Sequence, residues 1–149
     1  MLILDKTFQF APLIDISSTS FDADKASDCI YEYILSKARK TILNNSPVKV
    51  LHLSGLANYH HNELIQYLKS NSDLTQPQNF VLQIGEFGDT NIKHCWIQID
   101  DIIIDLTLKQ FENCPRCAPS FLCNFFNVPC YISNNRQSLI YQLYKPYNE

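Results

Sequence analysis

No stretch of this 149-residue sequence approaches the roughly 20 uncharged apolar residues that a membrane-spanning helix needs. The apolar N-terminus, MLILDKTFQFAPLIDI, carries Asp5 and Lys6 early and lacks the long apolar core of a secretory signal, so it reads as a strand or extended arm. A concentrated positive patch is missing too: the twelve Lys and Arg are scattered, the net charge is -3 and the pI about 5.7. Nucleic acid is thereby set aside as a partner, and a membrane with it. Only three glycines occur, beside many Asn, Ile and Lys; this is a bias of composition that points to no mechanism. Internal repeats and low-complexity segments are absent as well.

What is present describes one ordinary globular domain over residues 1–149. Hydrophobic residues make up 46% of the chain and charged residues 18%, which argues against disorder. This length closes a core without disulfides or metals. Six cysteines (Cys29, Cys95, Cys114, Cys117, Cys123 and Cys130) without a secretory signal read as reduced thiols rather than a disulfide framework. They place the protein in the cytoplasm, with non-classical export as an effector still compatible.

The polar stretch SSTSFDAD leads into a helix. From Asp22 or Asp28 to Asn44, the apolar positions Ala26, Ile30, Tyr33, Ile34, Ala38 and Ile42 recur at spacings of three and four. Asp28 caps a helix beginning at Cys29, whereas Ser20 or Asp22 caps a longer one. VKVLHLSGL alternates like a short strand, and HNELIQYLKSN has the pattern of a second helix. FVLQIGEF, HCWIQI and IIIDLT follow as three consecutive strand candidates of an antiparallel sheet. VPCYIS is a further strand candidate, and RQSLIYQLY a short terminal helix.

Within HCWIQIDDIIIDLT the simplest connection is a tight hairpin turning at Asp100 and Asp101. Ile99 then faces Ile102, Ile97 faces Ile104 and Cys95 faces Leu106, all on one face, which is taken as the buried one. The opposite face carries His94, Trp96 and Gln98 with Ile103, Asp105 and Thr107. Asp105 lies opposite Trp96 and diagonal to His94, where backbones are roughly 7–8 Å apart and long side chains meet. A carboxylate there fixes the tautomer of a histidine and stabilises its charged form. From pattern alone, a strand histidine with a nearby Asp is more often an ordinary polar pair on a half-exposed sheet.

The combination His94-x-Trp96, an acidic turn, Ile104-Asp105-Leu106-Thr107 and Gln110-Phe111 resembles the motif of bacterial papain-like and transglutaminase-like cysteine hydrolases. The likeness is good over residues 80–111 and loose upstream. It implies an α+β fold with an N-terminal helix packed on an antiparallel β-sheet. It also implies His94 as catalytic base, Asp105 as its orienting acid and Trp96 as an aromatic beside them; Gly85 stands where such proteins often have a glycine. No cofactor or metal is implied, and the partner is a protein or peptide substrate.

In such proteins the nucleophilic cysteine sits at a helix N-terminus upstream, where the helix dipole and free N–H groups lower the thiol pKa. Cys29 is the only cysteine upstream of His94. If the helix starts at Asp28, Cys29 is in its first turn and forms a Cys29-His94-Asp105 triad. If it starts near Asp22, Cys29 is a small buried hydrophobe. Aligning Ser27, Ile30 and Ile34 with the family pattern puts Ala23 at a vacated nucleophile position. For an oxyanion donor, Gln9 and Gln98 are available amides, neither placed by the motif and both equally ordinary polar residues.

The activity implied is hydrolysis or acyl transfer at an amide bond through an acyl-enzyme. The alternative is an inactive member of the same fold acting as a protein-binding effector or inhibitor. Cys114-Pro115-Arg116-Cys117 with Cys123 and Cys130 opens like a zinc knuckle but continues irregularly, which leaves a small zinc-stabilised adaptor as a third hypothesis. His60 and His61 read as a helix N-terminal pair facing solvent, and His52 as a strand surface residue. The tail aromatics Phe121, Phe125, Phe126, Tyr131, Tyr141, Tyr144 and Tyr147 read as core or cover, or as walls of a groove.

Overall fold

The computed structural model describes residues 10–17, 21–39, 57–70 and 79–147. Its strands are β1 (Leu13–Asp15), β2 (Val81–Phe87), β3 (Ile92–Ile99), β4 (Ile102–Asp105), β5 (Tyr131–Ser133) and β6 (Tyr144–Pro146). Its α-helices are α1 (Ala23–Arg39), α2 (Ala57–Lys69) and the short α3 (Ser120–Cys123). Two 3-10 turns, Leu108–Phe111 and Tyr141–Leu143, complete the described elements. The expected strand over 48–56, His52 and Gln9 lie outside the described residues.

The strands form one six-stranded sheet in the order β1-β5-β4-β3-β2-β6. The α+β class holds, but the sheet is mixed rather than antiparallel, because β1 runs parallel to β5 with Leu13 beside Tyr131. The hairpin turns at Asp100, in a left-handed conformation (φ 53°). Its pairs are Ile99 with Ile102, Gln98 with Ile103 and Ile97 with Ile104.

α1 starts at Ala23, because the Asp22 side chain accepts the Lys25 N–H at 3.0 Å and the Asp22 carbonyl accepts that of Ala26. This settles the alternative starts: Cys29 falls in the second turn. α2 begins four residues ahead of the expected HNELIQYLKSN segment. Ala26, Ile30, Tyr33 and Ile34 of α1 and Leu64, Ile65 and Leu68 of α2 pack against Ile97, Ile99, Ile102, Ile104 and Leu106.

The other sheet face is equally buried, which corrects the expectation of a half-exposed sheet. Phe87, Trp96, Ile103, Tyr131 and Tyr144 lie there beneath Phe111, Leu122 and Phe126. Trp96 is 0% exposed. The tail aromatics therefore divide, with Phe126 in the cover, Tyr131 and Tyr144 buried on the sheet beneath it, and Phe121, Phe125 and Tyr147 exposed. In place of the expected terminal helix, a 3-10 turn held by Ser138 Oγ leads into β6, where Tyr144 pairs with Phe87. Cys114 and Cys117, expected as reduced thiols, form a disulfide, and the other four cysteines are free and buried.

Gly85 is where β2, β3 and β6 crowd together. A Cβ there would run into the Lys145 carbonyl and come within 2.8 Å of Pro146 Cα and the Trp96 ring. Gly85→Ala is therefore expected to destabilise by about 1–3 kcal/mol, through overpacking against backbone that cannot rotate away. A fall in the thermal midpoint checks it. Among the described residues no helix is long and apolar enough to cross a membrane.

A candidate active-site dyad

Asp105 closes β4 beside Tyr131 of β5, fully buried at 0% exposure. It accepts four hydrogen bonds. His94 Nε2 (2.9 Å) and Tyr144 Oη (2.7 Å) donate to Oδ2, while Thr107 N (2.7 Å) and Thr107 Oγ1 (2.9 Å) donate to Oδ1. Burial alone raises its carboxyl pKa. The His94 charge, followed by the contacts of the His61 and His94 rings, outweighs this and holds it well below the ordinary carboxylate range. Tyr144 moves oppositely: burial, then the Asp105 charge, push its phenol far up, so it remains a donor.

His94 stands in an aromatic box, with ring centroids 5.1 Å from Phe111 and 5.8 Å from Phe87 and Trp96. Because Nε2–H is committed to Asp105, the neutral ring carries its lone pair on Nδ1, the only nitrogen left for proton transfer. His94 lines a cavity of about 310 Å³ together with Ala57, Asn58, Ile84, Lys93, Cys95 and Gln110. Gln110 Nε2 is buried and has no partner among the described residues.

The His94-Asp105 pairing expected from the hairpin is present, but it is built differently. The paired ladder between β3 and β4 ends at Ile97–Ile104. Where Cys95 was expected to face Leu106, the His61 ring is drawn up to β4 and its Nε2 accepts the Leu106 N–H at 2.9 Å. The same Nε2 lies 3.3 Å from Asp105 Oδ1. His60 and His61, expected to face solvent, are both buried, His61 at 0% exposure. The readable signal was that His61 falls on the apolar stripe of α2 with Ala57, Leu64, Ile65 and Leu68. Tyr144, 39 residues beyond Asp105, had no local signal.

Of the other expected site residues, Cys29, 3% exposed, and the partly buried Ala23, which opens α1, pack against the helix-side core and are not among the residues that line the His94 cavity. Cys95 does line the His94 cavity, but burial and then the Asp105 charge raise its thiol to about 11. Cys130, fully buried, is also raised. Trp96 packs beside His94 as expected, its Nε1–H donating to Gln98 Oε1 at 2.8 Å. Gln98 itself donates to the Asp100 carbonyl and lines a different cavity, with Trp96, Arg136 and Tyr141.

His61 Nε2 accepts the Leu106 N–H, and His61 Nδ1 is buried without a partner among the described residues. No three His, Cys, Asp or Glu among the described residues cluster as metal ligands. Comparisons with family models, with curated proteins and with solved structures find no match for this chain.

Proposed function

We propose that the chain is a papain-like or transglutaminase-like domain lacking a working thiol, which acts by binding: an effector or inhibitor that holds a protein or peptide partner at the His94 cavity. The observation that supports this reading is a His94-Asp105 dyad whose cavity is lined by one cysteine, Cys95, with a raised thiol pKa. A thiol at pKa about 11, as for Cys95, is ionised in only about one molecule in 10,000 at pH 7, and Cys29 sits in the helix-side core.

The competing reading is a thiol-dependent amide hydrolase or acyltransferase using Cys29, His94 and Asp105. It is favoured by the intactness of the dyad, which a pure binding protein has no need to keep. Iodoacetamide labelling of the native chain at neutral pH separates the two. The binding reading expects slow modification, unchanged by His94→Ala, and no ammonia release from glutaminyl peptides. Fast labelling of one cysteine that disappears in His94→Ala establishes the enzyme instead.

A further inference from the structure

We infer that the Cys114–Cys117 disulfide is a thiol-exchange site of fixed polarity: a small thiol attacks Cys114 Sγ, and Cys117 is the sulfur released. The inference is independent of the His94 cavity. The two cysteines are three residues apart. A cross-link stabilises by restricting the unfolded chain, and that restriction grows with the length of loop it closes. So short a ring restricts little, and the segment around it is tied down without the bond. The Asp89 N–H donates to the Cys117 carbonyl at 2.7 Å, the Cys114 N–H to the Phe111 carbonyl at 3.1 Å, and Cys123 Sγ to the Cys114 and Ala118 carbonyls. Cys117 also meets Gly88 so closely that a Cβ there would stand 2.7 Å from the Cys117 carbonyl oxygen.

Burial sets the polarity. Cys117 is 0% exposed, within the apolar cluster of Phe87, Phe111, Leu122 and Phe126. Cys114 is only partly buried, and its neighbours Asn113, Pro115 and Arg116 are exposed. Exchange requires an incoming thiolate to reach one of the two sulfurs, so access decides which is attacked. Of the pair, Cys114 offers it. Once released, Cys117 as a neutral thiol is a small apolar group suited to the cluster that holds it. The Cys117 N–H donates to the Cys114 carbonyl at 3.1 Å. That turn keeps the two residues together after the bond opens, so the same bond can close again.

With glutathione as the small thiol, its thiolate bonds to Cys114 Sγ, the bond between Cys114 and Cys117 breaks, and Cys117 leaves as a thiolate that takes a proton from water. A second glutathione thiolate attacks the glutathione sulfur of the adduct. Oxidised glutathione departs and Cys114 is freed as a thiolate, which is protonated in turn. Two glutathione thiols are oxidised to one disulfide, and the protein disulfide is reduced to two thiols. In the reverse direction Cys117 attacks Cys114 Sγ and displaces the adduct.

The experiment exposes the folded, oxidised full chain to excess reduced glutathione, quenches in acid and alkylates in denaturant. The count of labels is expected to rise from four to six, the two gained mapping to Cys114 and Cys117. The thermal midpoint should fall by less than about 10 °C. A disulfide that opens only as the chain unfolds overturns the inference, and so does a reduction that collapses the fold. Polarity is read in a Cys123→Ser background, which removes the thiol bonded to this loop. With oxidised glutathione, Cys117→Ser is expected to gain an adduct on Cys114 at least about tenfold faster than Cys114→Ser gains one on Cys117. Equal rates, or a faster Cys117, overturn the polarity. If either variant fails to fold, acid-trapping of the transient adduct in the wild-type chain gives the same reading. Glutathione found on Cys114 supports the assignment; glutathione on Cys117, or on neither, overturns it.

Discussion

Asp105→Ala is expected to cost about 3–5 kcal/mol of folding stability, measured by urea unfolding at neutral pH. The carboxylate is the partner of the Tyr144 hydroxyl and of His94 Nε2 among the described residues, and it also holds the Thr107 amide and hydroxyl. Truncation leaves several buried donors unsatisfied at once. A domain of this size is stable by only about 5–15 kcal/mol, so much of the margin disappears. Asp105→Asn should cost less, since its amide oxygen still accepts, but it takes an acceptor from one side.

The two variants also report on pH. The Asp105 pKa is lower folded than unfolded, so as pH falls the unfolded chain takes up this proton first. The stabilisation is complete above the unfolded value of about 4 and is lost as pH falls through the depressed folded value. Asp105→Asn is accordingly expected to flatten the acid side of the stability profile below about pH 4. An acid limb as steep as that of wild type would show that other carboxylates govern it.

His61→Ala is the other substitution with a large expected effect, about 3 kcal/mol. It removes a fully buried ring, leaving a cavity, and strips the Leu106 N–H of its acceptor. His61→Phe refills the volume without restoring the acceptor, so it should recover part of the loss. If His61 serves only to fill space, His61→Phe returns the full stability. Because His61 touches Asp105, a double-mutant cycle between the two should be non-additive by more than about 0.5 kcal/mol.

The hairpin was legible because alternation on both sides of Asp100-Asp101 sets the register, and two of the three expected pairs, Ile99 with Ile102 and Ile97 with Ile104, are found. Legibility stopped at the next rung. There the partner of Leu106 is a histidine from a helix 45 residues away, and strand periodicity contains no term for it. His61 was misread because histidine was counted as polar while its position on the apolar stripe of α2 was passed over. The start of α1 was undecidable from Asp22 and Asp28 alone, since both are good caps; hydrogen bonding to Lys25 selects Asp22, and with it the burial of Cys29. Tyr144 and the cover over the second sheet face come from an irregular C-terminal stretch. Long-range packing decides its course, and periodicity is silent there.

The parallel edge of the sheet bears on how the chain acquires its shape. β1 can pair only with β5, and the surrounding hydrogen bonds join Ser17 to Asn134 and Asp15 to Asn135, separations of 117 and 120 residues. Closing so long a loop earns no contact until it is finished. During synthesis β1 therefore waits for this partner until β5 has left the ribosome, whereas the β2-β3-β4 meander can form from local pieces before then. The centre of the sheet can thus form ahead of both edges, β1 and β6, which wait on the C-terminal part of the chain.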